Sequence, residues 1–378
     1  MPSRRAHKKS RLGCLECKKR KVKCTEVRPS CSYCIRSSCL CVYPDPTTKA
    51  VVPKTPPDST SGLSPQTLQS SEEAVDTFDM LDLTLMHHFT AVTALCLFSG
   101  EQQTFVWQTD IHLKARTNPI LMHGILSVAA IHLAFLEPNN ALRYRVRAFH
   151  HHDIGIRLFN QQLSDITSTS AHILFHFAIM VVVWAYASPI IAEDELMLDD
   201  IFSQLELARG CKTIFMLHWD SIRHTLIGSI TSLTPRPTPY EVLLPPAASR
   251  AFEHLRVKVT DPIYEPVIVR LEHMFMKAYG EPDDVRTAFA WPCLIDEEVW
   301  SRFRAHDTAA LFLLAHYAML LERNEGSWWW ISGWSRRILS AVERVLSVSD
   351  KEALGWDIFL VYVEENRREF LGASAACV

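Results

Sequence analysis

Residues 14–43 of the 378-residue chain read CLECKKRKVKCTEVRPSCSYCIRSSCLCVY. Six of these cysteines form C-x2-C-x6-C, six intervening residues, and C-x2-C-x6-C again. Cys14, Cys17 and Cys24 make the first half, and Cys31, Cys34 and Cys41 repeat it seventeen residues later. Between Cys17 and Cys24 lies KKRKVK. Repeated thiolates suit zinc, and a cationic helix inside the repeat suits a polyanion. One tetrahedral zinc takes four ligands, so six sulfurs are too many for one site and too few for two separate sites. They fill two sites if two of them bridge. Repeat symmetry gives the bridge to the first cysteine of each half, Cys14 and Cys31, and leaves Cys17, Cys24, Cys34 and Cys41 terminal. Cys39 is a rival for the last position, but choosing it turns the second half into C-x2-C-x4-C and breaks the match. About 30 residues bury too little to fold unaided, so the two Zn(2+) ions are expected to supply the folding energy.

The charge distribution agrees. Net charge is only −3, but residues 1–43 hold twelve of the 39 Lys and Arg and two of the 42 Asp and Glu. A basic head on an acidic body predicts a polyanionic partner for the head alone. Seven of the eleven cysteines lie between 14 and 41, and the other four (Cys96, Cys211, Cys293, Cys377) are scattered. The opening MPSRRAHKKSR has no apolar core and is not read as a secretory signal. Clustered cysteines in a reducing compartment are read as metal ligands rather than disulfides. The arm at Arg4, Arg5, Lys8, Lys9 and Arg11 suits phosphate contact and nuclear import.

The quoted stretch resembles the fungal Zn2Cys6 binuclear-cluster transcription factors. It carries all six ligand positions, the basic run before the third cysteine, Pro29 two residues before the fourth and Tyr43 just after the sixth. The resemblance implies a nuclear, zinc-dependent regulator of RNA polymerase II transcription that binds double-stranded DNA at CGG-type triplets. It implies two helix–loop halves, the first helix entering the major groove. The base-reading lysine of that family stands three positions before the third cysteine, which is Lys21 here. An ammonium there can donate to guanine O6 and N7. Lys18, Lys19, Arg20 and Lys23 are then expected at phosphates.

Residues 44–74 hold six prolines and many Ser and Thr, and read as a disordered linker. They show no sustained heptads, so dimerisation, if it occurs, is expected from the body. Residues 75–378 read as one large all-α regulatory domain, with helices expected near 78–98, 119–136, 140–163, 170–188, 195–217, 262–280, 307–323, 328–347 and 351–366. Over 140–163, Leu142, Val146, Phe149, Ile156, Phe159 and Leu163 trace the stripe expected to face the core. From Thr169 to Ala192 no residue is formally charged, a length that could span a bilayer. With His172 and His176 inside, Pro189 near the end and no basic flank, it is read as a buried core helix. The segments DLTLMHHFTAVTA, NPILMHGILSVAAIHLA, LELARG and SWWWISGWSRRIL resemble the sterol uptake control subgroup over most of 78–347. That resemblance implies an all-helical domain with an apolar, sterol-like ligand, or else a regulator of secondary-metabolite genes. A protein-interaction scaffold is the alternative for this domain.

Other conspicuous residues have plainer readings. His150, His151 and His152 point different ways on a helix and read as a solvated face. His172 and His176 share a face and, lacking a third ligand, read as core or boundary residues. His87, His88 and His123 read as interhelix hydrogen-bonding groups. Trp328, Trp329, Trp330 and Trp334 read as core or subunit contacts. EDELMLDDIF at 193–202 fits an activation segment or an acidic helix N-terminus. No nucleophile-elbow, zinc-protease, Walker or dinucleotide motif occurs, so an enzyme is not expected.

Overall fold

The computed structural model describes residues 13–20, 22–27, 31–36, 41, 43, 78–98, 100–192, 195–231, 244–280 and 285–375. Lys21, Cys39, the arm up to residue 12 and the 44–74 segment lie outside the described residues. The chain divides into two units, Met1–Val75 and Asp76–Val378. No strand occurs among the described residues.

Among its described residues the first unit holds two short helices, α1 (Leu15–Lys19) and α2 (Ser32–Arg36). The second opens with α3 (Met80–Ala91), α4 (Glu101–Phe105), a π turn over Val106–Asp110 and α5 (Ile111–Ala115). Then follow α6 (Pro119–Leu136), α7 (Ala141–Leu163), α8 (Ala171–Ala192), α9 (Leu198–Leu217), α10 (Trp219–Ile222) and α11 (Leu226–Thr231). The remainder is α12 (Pro246–Lys258), α13 (Glu265–Gly280), α14 (Val285–Leu294), α15 (Glu297–Arg304), α16 (Thr308–Glu325), α17 (Trp334–Val345), α18 (Val348–Leu354) and α19 (Trp356–Ala375).

Helices α6 and α8 carry no formal charge and are apolar around their whole circumference, which puts a helix inside a core or a membrane. Both are long and apolar enough to cross a bilayer, yet 78% of each apolar window is buried inside the fold. Two glycines make room for side chains of α8, Gly124 on α6 and Gly155 on α7. A Cβ on Gly124 would meet the Met180 methyl at 2.4 Å, and one on Gly155 would meet the Phe177 ring at 2.7 Å. Helix α8 runs past Pro189 to Ala192. A proline this near the C-terminus removes one hydrogen bond without ending the helix.

The first helix after the linker is fastened by a buried polar chain. Arg147 donates two hydrogen bonds to the Asp82 carboxylate, from Nε at 2.7 Å and from Nη2. His151 Nε2 lies 2.9 Å from the same carboxylate, and its Nδ1 lies 2.9 Å from His123 Nδ1. Burial pushes the Asp82 carboxyl up, but Arg147, the Asp79 N–H and His151 outweigh it and hold it at about 2.

The tryptophan run does not sit on one continuous helix. Trp329–Ile331 form a 3-10 turn, Gly333 takes a left-handed φ of 75°, and α17 starts afresh at Trp334. The break lets Trp328, Trp330 and Trp334 all point inward. Trp330 Nε1 donates to the Leu97 carbonyl at 3.2 Å and Trp334 Nε1 to that of Tyr186 at 2.9 Å. Trp329 is partly exposed and stacks on His132 at 4.4 Å.

Three further expectations fail. The stripe on α7 holds only in its second half, where Ile156 and Phe159 pack against the core; in the first half Tyr144, Ala148, His151 and Gly155 face inward, while Leu142, Val146 and Phe149 are exposed. The three histidines are accordingly no solvated face, since His151 is buried and His152 stacks on Trp184 at 3.8 Å. Residues 101–115, 246–258, 285–294 and 297–304 are helical although no helix was expected there. The apolar face of α12 rests mostly on alanines (Ala247, Ala248, Ala251), which give a weak stripe.

Candidate metal centre and nucleic-acid interface

Six cysteine sulfurs converge between α1 and α2. Cys14, Cys17, Cys24 and Cys31 form one group and Cys14, Cys31, Cys34 and Cys41 another, with all ligand atoms of a group within 4.8 Å of each other. The two groups share Cys14 and Cys31. Among the described residues no other histidine, cysteine or acidic residues cluster this way. Sulfurs held tetrahedrally 2.3 Å from a zinc ion stand about 3.8 Å apart. The separations here are 3.8 Å for Cys14–Cys31, 3.7 Å for Cys14–Cys34 and 3.6 Å for Cys17–Cys31. None of the six is in a disulfide. The donor set therefore fits two tetrahedral zinc ions sharing a pair of thiolates.

The repeat extends to the hydrogen bonds. Cys17 N–H donates to Cys14 Sγ at 3.4 Å, and Cys34 N–H to Cys31 Sγ at 3.5 Å. Cys14 N–H donates to Cys24 Sγ at 3.4 Å, and Cys31 N–H to Cys41 Sγ at 3.2 Å. Cys41 thus occupies in the second half the place of Cys24 in the first. The Cys14 sulfur also caps α1, completing its first turn. The Cys34 N–H draws the Cys31 thiol down to about 6, while burial pushes Cys17 up. Thiols packed this tightly repel one another once ionised, and a cation is what lets them all ionise together. One contact was not anticipated: the Tyr43 hydroxyl donates to the Val27 carbonyl at 2.9 Å and lies 3.7 Å from Cys24 Sγ. It closes the C-terminal end of the cluster onto the loop after Cys24.

Lys18 and Lys19 end α1 and are exposed, as are Arg20 and Lys23. They make an exposed cationic surface in the stretch between the ligands Cys17 and Cys24. Arg20 is engaged at home, its Nε donating to Glu16 at 2.5 Å one turn back. That pairing is legible in the sequence as an i, i+4 spacing.

In the second unit the histidines serve the interior. His123 and His151 belong to the Asp82 chain. His132 Nδ1 lies 2.9 Å from the Thr93 hydroxyl. His176 Nδ1 donates to the His172 carbonyl at 2.6 Å. His87 is exposed and His88 half-buried. Asp199 and Asp200 occupy the first turn of α9, and Asp200 accepts from Met197 N–H at 2.9 Å. Arg209, from the LELARG segment, donates to the Pro292 and Ile295 carbonyls at 2.7 Å each.

Comparison with known proteins agrees with this geometry. Residues 12–50 match the fungal Zn(2)-Cys(6) binuclear cluster domain. Residues 84–225 match the fungal specific transcription factor domain. A Zn(2)-C6 fungal-type transcription factor of Gibberella zeae is 27% identical over 87% of this chain and 80% of its own length. The Zn(2)-C6 fungal-type transcription factor afumD of Aspergillus fumigatus is 26% identical over 58% of this chain and 58% of its own length, so the chain spans less than two thirds of that relative. Sterol uptake control protein 2 of Candida albicans is 32% identical over 29% of this chain and 15% of its own length. These matches describe transcription factors, not enzymes, and a domain of the first family binds two zinc ions.

Proposed function

We propose that this chain, a Zn2Cys6 fungal transcription factor, acts in the nucleus on RNA polymerase II genes by reading CGG-type triplets in duplex DNA. The observation that carries the reading is the pair of four-sulfur groups sharing Cys14 and Cys31, with the exposed Lys18, Lys19 and Lys23 in the stretch between Cys17 and Cys24. Cys14 and Cys31 bridge the two zinc ions. Lys21 donates to guanine O6 and N7, while Lys18, Lys19, Arg20 and Lys23 hold phosphates and set the register. Genes of sterol or lipid supply, or of a secondary-metabolite pathway, are the targets. The limited likeness to a sterol uptake control protein supports the first of these. An apolar ligand in residues 75–378, and a homodimer through that domain, are part of the same reading. A protein-interaction scaffold is its alternative.

The test is a titration of the full chain against a CGG duplex and a scrambled duplex. Lys21→Ala should cost about 1–3 kcal/mol of discrimination between them. Lys18→Ala should weaken both equally and flatten the salt dependence by about one unit of slope. Equal loss on both duplexes for Lys21→Ala, or binding that survives chelation, would overturn the assignment.

A further inference from the structure

The N-terminal half of α7 presents an exposed apolar stripe in which Phe149 alone meets an aromatic ring among the described residues, edge-on against Trp184 at 5.1 Å. Leu142 is 75% exposed, Val146 64% and Phe149 46%. Their spacing of four and three residues places them on one side of the helix, opposite the face buried by Tyr144, Ala148, His151 and Gly155. This is the 3-4 spacing by which one helix receives another. The flanks are cationic: Arg143 and His150 are exposed and Arg145 is half-exposed. Arg143 and Arg145 make no ion pair among the described residues. The one acidic residue of the helix, Asp153, is already held by Arg157 at 3.3 Å. The basic flanks stand out because the chain beyond the cysteine module is acidic overall.

We infer that this face of α7 is a docking site for an amphipathic helix of another protein, apolar along its seam and acidic on both flanks. Charge complementarity selects that occupant. A second copy of α7 would bring Arg143, Arg145 and His150 against their own counterparts, in either parallel or antiparallel pairing, and like charges facing across a helix seam repel. An acidic-flanked helix instead buries Leu142, Val146 and Phe149 and neutralises the two free arginines. The inference goes beyond DNA recognition and survives if the triplet assignment fails, because no residue of the cysteine module enters it.

The test uses the purified full chain and a dye-labelled 22-residue synthetic helix with leucines at alternating spacings of three and four and glutamates on both flanks. The control peptide carries lysines in place of the glutamates. Fluorescence anisotropy should show the glutamate peptide binding and the lysine peptide binding at least tenfold more weakly. Val146→Asp, and separately Leu142→Asp, should each weaken the glutamate peptide at least tenfold. Both positions are exposed, so tryptophan emission and thermal melting should stay as in the parent chain. Arg143→Ala with Arg145→Ala should weaken it several-fold and reduce its salt sensitivity. Equal binding of both peptides, or binding indifferent to Val146→Asp and Leu142→Asp, would overturn the proposal. So would a parent chain that sediments as a dimer and becomes a monomer on Val146→Asp, since a second copy would then occupy the face.

Discussion

Acid should unfold the helical unit between about pH 6.5 and pH 4, and the cause can be assigned to particular side chains. Burial draws His132 down to about 3, and His151, His152, His176 and His316 down to about 4, from an ordinary 6.5. His316 on α16 shows the balance: complete burial lowers it, and outweighs the opposite pull of the Phe312 and Ala251 carbonyls 2.8 Å and 3.3 Å from its ring nitrogens. Each of these rings is neutral in the fold and takes up a proton on unfolding. Stability is therefore complete above about pH 6.5 and is lost as the pH falls toward the folded-state values. A drop from 6.5 to about 4 corresponds to roughly 3 kcal/mol per histidine at the acid limit. Several together match the whole stability of an ordinary domain, about 5–15 kcal/mol. Near pH 5 each contributes about 1.4 kcal/mol per pH unit, so the ceiling for the set is about 7, and half that if burial relaxes. Urea titrations at successive pH values, read by tryptophan emission, measure the slope. All ten tryptophans lie between positions 107 and 356, so the signal reports this unit and not the zinc module. A slope below about 1.4 kcal/mol per pH unit, or native emission persisting at pH 4, would refute the reasoning. His316→Gln should lower the slope by about one proton's worth.

Three other perturbations have defined outcomes. Native mass spectrometry should find two zinc ions on the Cys39→Ser chain and fewer than two on Cys41→Ser, because Cys41 completes the second sulfur group. Asp82→Ala takes the buried carboxylate from both Arg147 and His151, leaving Arg147 the more exposed Asp79 at 3.3 Å, and should cost about 3–5 kcal/mol in a thermal or urea melt, whereas a loss below about 1 kcal/mol would mean that the polar chain holds nothing. Gly155→Ala drives a methyl to within 2.7 Å of the Phe177 ring, and differential scanning calorimetry should show a loss of about 1–3 kcal/mol from overpacking.

The sequence was most legible where chemistry fixes geometry. Thiolates at repeated spacings can hold zinc in few ways, so ligand counting called for two shared cysteines and repeat symmetry pointed to Cys14 and Cys31, the two residues common to both sulfur groups. Uncharged segments such as α6 and α8 were equally plain, since a helix apolar on every side has nowhere else to go. The stripe on α7 misled because periodicity reports an apolar face without saying what covers it. Tyr144, Ala148, His151 and Gly155 form a second face, poorer in apolar atoms but better shaped for contact with α6 and α8. His151 looked like one of three solvated histidines because its partner, Asp82, lies 69 residues away. The tryptophan run read as one helix because nothing local announces that Gly333 must turn left-handed for three indoles to face inward.

The hydrogen bond from Trp330 to Leu97 joins positions 233 residues apart. Leu97 lies near the start of the helical unit, so that part of the core stays unfinished until Trp330 has left the ribosome. A message truncated before codon 328 would thus yield an unfolded body, prey to proteases, rather than a shortened regulator. The cysteine module needs none of those residues, only its zinc. Such an allele would leave a fragment able to occupy DNA while answering to nothing, and genetics would score it as dominant interference rather than simple loss.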